Sequence, residues 1–536
     1  MRIIIDSTVN QKYKTHHLSK NEALKEVNNY ILKLHQKSFL AASADSIFSD
    51  SNSIKAFIYT GNKYNYFIQE PDSNKSQKIL SHSQFIKLEN ELVKKYENEG
   101  YPFVRVFLNK ISISNDSIKA NLEVEPGPLI LFDSIFFETT KTRNDFMMNQ
   151  LGLTRNSYFS QKKVKKSNLI LKRISFIEKI SDYQILFNAD KAIVKYIVKD
   201  KKTNQVDGII GLFPDARSPN KFVFSGEFNL FLNNLFKTGK SIKAEWRQFK
   251  PSSPILNIEY THPFLFKSNI EIKANFYLLK DDTNFLNIKR KLWVNYNFKE
   301  YGKAGIIFGQ NSSDVISSSN QKTNNQVSEL NGYDFLYTGF NYSFNSTDDY
   351  YHPFNGWIVY FEALIGQRNL KKVSSVSDSV LQKLNLKTQL FSLELNVERY
   401  VKLFPKTILA VKSKNGLLSN DKLNLNELFR IGGLKSMRGF NENIFFANDY
   451  SINSLEVRQY IDIDSYLFAF YDQGVYYIST AVRQYTEYPI GFGAGITFTS
   501  KVGVFNLVYA LGQSKALNQQ ISYDQSKIHF GYTSRF

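Results

Sequence analysis

Residues Phe391–Glu398 read FSLELNVE, and every second residue of that octet is apolar. In an extended chain Phe391, Leu393, Leu395 and Val397 share one face, and Ser392, Glu394, Asn396 and Glu398 share the other. The same period of two runs outward in both directions. Phe222, Phe224, Phe228 and Leu230 alternate with Val223, Ser225, Glu227 and Asn229. Ile270, Ile272, Ala274, Phe276 and Leu278 alternate with Glu271, Lys273 and Asn275. A soluble sandwich also alternates, with a core on one side and water on the other, so alternation alone leaves sandwich and barrel open.

Connection lengths separate them. Sixteen candidate strands begin near Val206, Phe222, Ser241, Ile255, Asn269, Phe285, Gly302, Asp334, Asn355, Leu386, Lys406, Asp449, Ser465, Ile490, Val502 and Ser526. Long connections follow odd-numbered strands: Asn311–Gly332, Gln367–Asn385, Asn415–Asn448 and Gln513–Gln525. Those after even-numbered strands are mostly tight, such as Phe266–Ser268, Lys299–Tyr301 and Thr499–Lys501. An up-and-down membrane barrel has long external loops and short periplasmic turns, whereas a sandwich has no reason to sort its loops by parity. Residues 204–536 are therefore expected to form an all-β transmembrane barrel of about sixteen antiparallel strands.

The closing strand agrees. Ile528, Phe530, Tyr532 and Phe536 share one face, and Lys527, His529, Thr533 and Arg535 share the other. An aromatic terminus on an alternating strand resembles the C-terminal signal of outer-membrane proteins, although Ser534 stands where a hydrophobic residue is usual. Closure requires the first strand, around Asp207–Phe213, to pair with Ile528–Phe536. Gly208 and Gly211 on one side, and Gly531 and Ser534 on the other, contribute little cross-strand packing, so this seam is expected to be weak.

Composition is compatible with this reading without deciding it. The chain has 45 Phe and 32 Tyr against 4 Met, which lipid-facing strands with aromatic girdles would produce. A genome rich in Phe, Tyr, Asn and Lys would produce it too. The net charge of +19 is spread along the chain with no basic arm or helix, which points to a solvated surface or anionic lipid head groups rather than nucleic acid. Zero cysteines exclude a disulfide framework and thiolate metal sites. The opening MRIIID is too short for an export signal, so an envelope protein would need one supplied upstream.

The N-terminal third repeats itself. SIKA occurs at Ser53–Ala56 and again at Ser117–Ala120, and Phe39 and Phe103 precede them at the same 64-residue offset. Helical periodicity appears in Asn21–Lys37 and Gln84–Asn98, each followed by a strand pair: Phe39–Phe48 with Ile54–Tyr59, and Phe103–Ile113 with Ile118–Val124. A third, divergent copy runs from Phe132 through a helical stretch near Ser167–Glu178 to Ala192–Val198. With GYPFV (Gly100–Val104), EPGP (Glu125–Pro128) and FDSI (Phe132–Ile135), the units resemble POTRA domains; another small α+β repeat is the alternative on pattern alone. The boundaries expected are 1–63, 64–127 and 128–203.

Between the eleventh and twelfth strands lies IGGLKSMRGF, Ile431–Phe440, followed by SLEVRQY (Ser454–Tyr460) and FAFYDQG (Phe468–Gly474). This order, with DGIIGLFPD (Asp207–Asp215) and EYTHPFLF (Glu259–Phe266), resembles the outer-membrane assembly-factor superfamily, the bacterial surface antigen family of BamA/TamA-like proteins and two-partner secretion transporters. The resemblance covers about Gly100 to Phe536. Three repeats are more like TamA than BamA. The resemblance implies that the loop folds into the barrel, with Gly432, Gly433, Gly439 and Phe440 shaping it. It also implies that Arg438 meets Asp472, near Gly474, on a neighbouring strand. Without the flanking motifs, an RGF triplet could equally be a solvent-exposed turn.

The resemblance further implies a non-enzymatic factor for outer-membrane protein assembly, insertion or translocation, working without ATP and with its repeats in the periplasm. The alternative within the family is a transporter exporting one cognate protein through its lumen. Expected partners are unfolded outer-membrane or secreted clients, outer-membrane lipids, and a periplasmic or inner-membrane protein docking on the repeats. No cofactor is expected. Gly239-Lys240-Ser241 has Asn234 where a phosphate loop needs glycine, and Gly491, Gly493 and Gly495 form GxGxG in a strand with no following helix. No GxSxG elbow or HExxH occurs.

Overall fold

The computed structural model describes residues 2–9, 11–16, 19–50, 52–69, 77–215, 218–248, 252–282, 284–316, 330–350, 352–371, 386–462, 464–500 and 503–535. Two compact units divide the chain: Met1–Ile135 with Thr154–Lys165 and Gln184–Val194, and Phe136–Leu153 with Lys166–Tyr183 and Lys195–Phe536.

In the first unit the repeated tetrapeptide has a structural cause. Strands Ser53–Tyr59 and Ser117–Glu125 are each interior to their sheet, and each pairs in parallel with an earlier strand, Arg2–Ser7 and Asn65–Gln69 respectively. Ile54 and Ala56 are buried, as are Ile118 and Ala120, because alternate residues of SIKA face the helix of their module. The first helix, Lys20–Gln36, starts at Ser19, whose side chain accepts from the Glu22 N–H, and buries Ala23, Val27, Tyr30 and Leu34. The second, His82–Asn98, opens on a capping box between Ser81 and Gln84 and turns Phe85 into its core. The hairpin strands begin at Ser43 and Arg105, four and two residues after the expected Phe39 and Phe103.

The third module departs from the sequence reading. In place of one helix over Ser167–Glu178 there are two, Asn144–Leu151 and Gln161–Arg173. Gly152, at φ 68°, ends the first in the left-handed region. The second is easily missed, because QKKVKK offers one apolar residue. Its buried face is Val164, Ser167 and Leu171, with the Ser167 hydroxyl bonded to Tyr196. Sheet order is Gln184–Asn188, Lys191–Asp200, Leu131–Glu138, with Ile177–Lys179 also on Lys191–Asp200.

Within the second unit, Asp200 ends the module's last strand and collects Thr140, the Lys141 N–H at 2.9 Å and the Thr142 hydroxyl at 3.1 Å. Thr142 accepts in turn from Asn234, 2.8 Å away at the end of the second barrel strand. Burial opposes ionisation of Asp200, but these hydrogen bonds outweigh it and hold the carboxyl below its ordinary value. A depressed carboxyl stabilises above its unfolded pKa, and that contribution disappears as pH falls through the folded value. Protection of the Lys141 amide against hydrogen exchange, relative to its intrinsic rate, is therefore expected to fall on acidification, and to be low already at neutral pH in Asp200→Asn. Equal protection in both proteins at pH 7 would refute this.

Sixteen antiparallel strands close the barrel. They begin within two residues of the expected positions, except the second, which starts at Ser218; ahead of the fourteenth, Ile490–Thr499, the short strand Gln484–Glu487 pairs with the same neighbour. The expected start at Val502 lies outside the described residues, and the strand there is Val504–Gln513. Three expected loops start too early: the seventh strand runs on to Val315, the ninth to Leu370 and the eleventh to Ser419. Their outer ends carry polar residues on both faces, as in NSSD (Asn311–Asp314), so alternation fades where both sides are wet. Turn 346–355 is the long exception among even connections.

Burial is inverted relative to a soluble protein. Leu336, Ile365 and Phe308 are 66%, 51% and 51% exposed, whereas Glu362 and Arg368 are 2% exposed. A sandwich would expose its polar face to water; here the polar face is enclosed and the apolar face is outside, which is the arrangement of a membrane barrel. No described helix is long and apolar enough to cross a membrane.

Candidate functional site

The sixth external loop, 420–448, returns into the barrel. A short ladder between Phe429–Ile431 and Phe445–Ala447 forms its neck. Beyond it, Gly432 and Gly433, at φ 120° and 92°, turn the chain, and Ser436 closes the bend by bonding the Gly432 N–H and carbonyl.

Arg438 then enters a pocket made by the twelfth strand, Asp449–Tyr460, and the thirteenth, Tyr466–Ser479. Its Nε donates to Asp472 Oδ2 at 2.8 Å and its Nη2 to Oδ1 at 2.6 Å, a bidentate fork. The Arg438 backbone N–H adds a third bond to Oδ2 at 3.1 Å. Nη1 reaches Glu456 at 2.5 Å, and Nη2 the Ser454 hydroxyl at 2.9 Å. Ser454 also bonds Asp472, and Arg458 holds the other oxygen of Glu456 at 2.7 Å. The guanidinium lies 3.6 Å above the Phe470 ring. Asp472 is fully buried, so almost all of its hydrogen-bonding capacity is met by loop and wall.

Glycines make the approach possible. A Cβ on Gly491 would sit 2.1 Å from the Arg438 carbonyl oxygen, and one on Gly439 2.5 Å from that of Leu511. One on Gly493 would meet the Tyr509 oxygen at 2.0 Å and the Phe470 ring at 2.9 Å. The GxGxG run is thus space for the loop and its aromatic support. Phe440 is buried, 4.9 Å centroid to centroid from Phe445, and Gly474 leaves room for the Met437 sulfur. Sequence reasoning named Arg438, Asp472, Gly474 and the loop residues. It did not assign Ser454, Glu456 or Phe470, although all three lie inward on strands whose motifs it quoted, where parity with Asp472 marks them.

The seam is the second part of the site. Among the described residues, the first strand, Gln205–Asp215, meets the sixteenth, Lys527–Arg535, only at Gln205↔Arg535 and Val206↔Ser534. By contrast, the ninth and tenth strands pair without interruption from Gly356↔Tyr400 to Asn369↔Lys387. Gly208 and Gly211 pair with Phe228 and Ser225 of the second strand, not with the sixteenth. Ile528, Phe530 and Tyr532 pair with Tyr509, Leu507 and Phe505 of the fifteenth, and Phe536 lies outside the described residues. A cavity of about 780 Å³ opens here, lined by Asp207, Gly208, Phe530 and Tyr532 and, from the loop, Leu434 and Lys435. Lys435 Nζ stands 3.5 Å from Glu245 of the third strand, Lys240–Gln248, so the loop that carries Arg438 also reaches the seam.

Fold and site together define a bacterial outer-membrane barrel with POTRA-like modules in the periplasm. The Omp85 superfamily domain matches residues 234–536, and the chain belongs to the Omp85 superfamily. Outer membrane protein assembly factor BamA of Buchnera aphidicola is 20% identical over 254 residues, 45% of this chain; the match spans 40% of that protein's length. Among solved structures, CdiB from Escherichia coli aligns over 98% of this chain and all of its own, with TM-score 0.55 and 11% identity. CdiB from Acinetobacter baumannii aligns over 96% and 98%, with TM-score 0.52 and 12% identity. These likenesses are of fold. The family's work is protein insertion or secretion at the outer membrane.

Proposed function

We propose that the chain is an assembly factor that inserts client barrel strands at its seam, with no nucleotide consumed. The observation carrying this reading is the two-pair contact between the first and sixteenth strands. Among the described residues, 207–215 and 527–533 face each other across the seam with no ladder between them. In a bilayer each unpaired backbone group costs several kcal/mol, about 2–7 by transfer estimates, so both edges favour an added strand. A client strand supplies main-chain partners whatever its sequence. Capture in the periplasm would use edges such as Arg105–Ser114, the outer strand of the second module, where Ile111 and Ile113 are exposed. The repeats at 1–63, 64–127 and 128–203 serve as those capture modules and as docking sites for a periplasmic or inner-membrane partner.

The test is reconstitution. Liposomes containing the protein are expected to fold a urea-denatured outer-membrane barrel many times faster than empty liposomes, without ATP. Equal rates would overturn the reading.

A further inference from the structure

Loop six is attached at a second place, on a different wall from Asp472. Its proximal part folds into the outer lumen, where Glu427 and Arg368 of the ninth strand, Gly356–Leu370, are each 2% exposed. Arg368 Nε donates to Oε1 at 2.5 Å and Nη2 to Oε2 at 2.7 Å, another bidentate fork. Asn424 donates both its backbone and side-chain N–H to the same carboxylate, each at 2.7 Å. Asn426 extends the contact: its amide reaches Ser313 at 2.7 Å, and its carbonyl accepts from Asn287 at 2.8 Å. Around these polar bonds Leu423 and Leu428 are buried in one cluster with Trp293, Ile307, Tyr337 and Leu364. Arg430 completes the attachment, 2.7 Å from Asp281.

The two halves of the loop therefore have separate moorings. The polar bonds of Leu423–Arg430 go to the fifth through ninth strands, although its apolar cluster also takes in Leu390 of the tenth strand and Ile478 of the thirteenth, and Phe429 meets Tyr450 of the twelfth. Met437–Phe440 is held by the twelfth through fifteenth. The first has its own apolar cluster, its own buried ion pair and its own hydrogen bonds, none shared with the second.

We propose that Leu423–Arg430 is a stopper, latched by Arg368–Glu427, that keeps the lumen closed whether or not the Arg438 tip is seated. Arg368 and Glu427 are positioning residues for this segment. The inference rests on the seam reading in one respect: a factor that works at its wall must let the tip and seam move without leaking through its lumen. Burial supplies the permanence, because a charge whose partner leaves has no water to turn to.

Conductance of the full chain in planar bilayers tests it. Wild type and Arg438→Ala are expected to conduct alike and little. Arg368→Ala and Glu427→Ala are expected to raise conductance several-fold, and the swap Arg368→Glu/Glu427→Arg to bring it back down. A change in gel migration on boiling checks that each variant is folded. Should the alanine variants not insert, Glu427→Gln keeps the shape and removes the charge, and the same rise is expected. Folded latch variants that conduct like wild type would overturn the stopper, and so would Arg438→Ala opening the pore by itself. Failure of the seam reading looks different: insertion activity survives a locked seam while the latch variants still leak.

Discussion

Arg438→Ala is expected to abolish activity in a complementation assay while the barrel still inserts and still shifts on boiling. Removing one partner of a buried pair costs about 3–5 kcal/mol, because the remaining charge stays buried without compensation. Here the loss falls on Asp472, left with Ser454 and a backbone N–H, and on one oxygen of Glu456, whose other oxygen Arg458 still holds. The barrel itself is spared, since the ladder between the twelfth and thirteenth strands runs from Asp449↔Tyr477 to Tyr460↔Tyr466 without the loop. What is lost is the placement of the loop tip, and with it Leu434 and Lys435 at the seam. Asp472→Ala should have a similar effect. Arg438→Lys keeps the charge but cannot fork onto Asp472 while reaching Glu456, so it should rescue only partly. Wild-type behaviour of Arg438→Ala would remove the loop-anchor assignment.

Locking the seam should have an equally large effect, reversible on demand. Val206 and Ser534 are register partners, and the chain contains no native cysteine. Val206→Cys/Ser534→Cys, oxidised, is expected to stop insertion of clients, and reductant to restore it. A control pair inside an uninterrupted ladder, Ala363→Cys/Leu393→Cys, should leave activity unchanged. If the locked seam stays fully active, clients do not join there, and export through the lumen becomes the better account of the site.

Much of this was legible because a membrane barrel writes itself in a short code. Period two, loop parity and a terminal aromatic strand each follow from one constraint, that every backbone group in lipid must be paired. The code fails where that constraint lapses. Above the lipid, Asn311–Asp314 and Leu417–Ser419 remain strand although neither face need be apolar. In the third module, Gln161–Lys166 hides a helix because a single valine fills its share of the core. At the site, the Arg438–Asp472 pairing was implied by resemblance, whereas Glu456 and Ser454 required register: only pairing Ser454↔Asp472 shows that they share a pocket. The second mooring left no motif. Arg368 and Glu427 are separated by 58 intervening residues and belong to segments that read simply as strand end and loop.

The glycines of the fourteenth strand carry a consequence for how this protein can vary. Gly491 is not required by its own backbone, since it pairs regularly with Asp472 and Gly512; it is required by the carbonyl of Arg438, which a methyl group would strike. Its intolerance is thus borrowed from the loop. In a lineage whose loop tip had shortened or withdrawn, position 491 would be released to accept alanine or serine, and once filled it would bar the loop's return. Such a one-way step links two segments that share no element of secondary structure, and it would appear in related sequences as an epistatic pair, the strand glycine lost only where the RGF triplet is already gone.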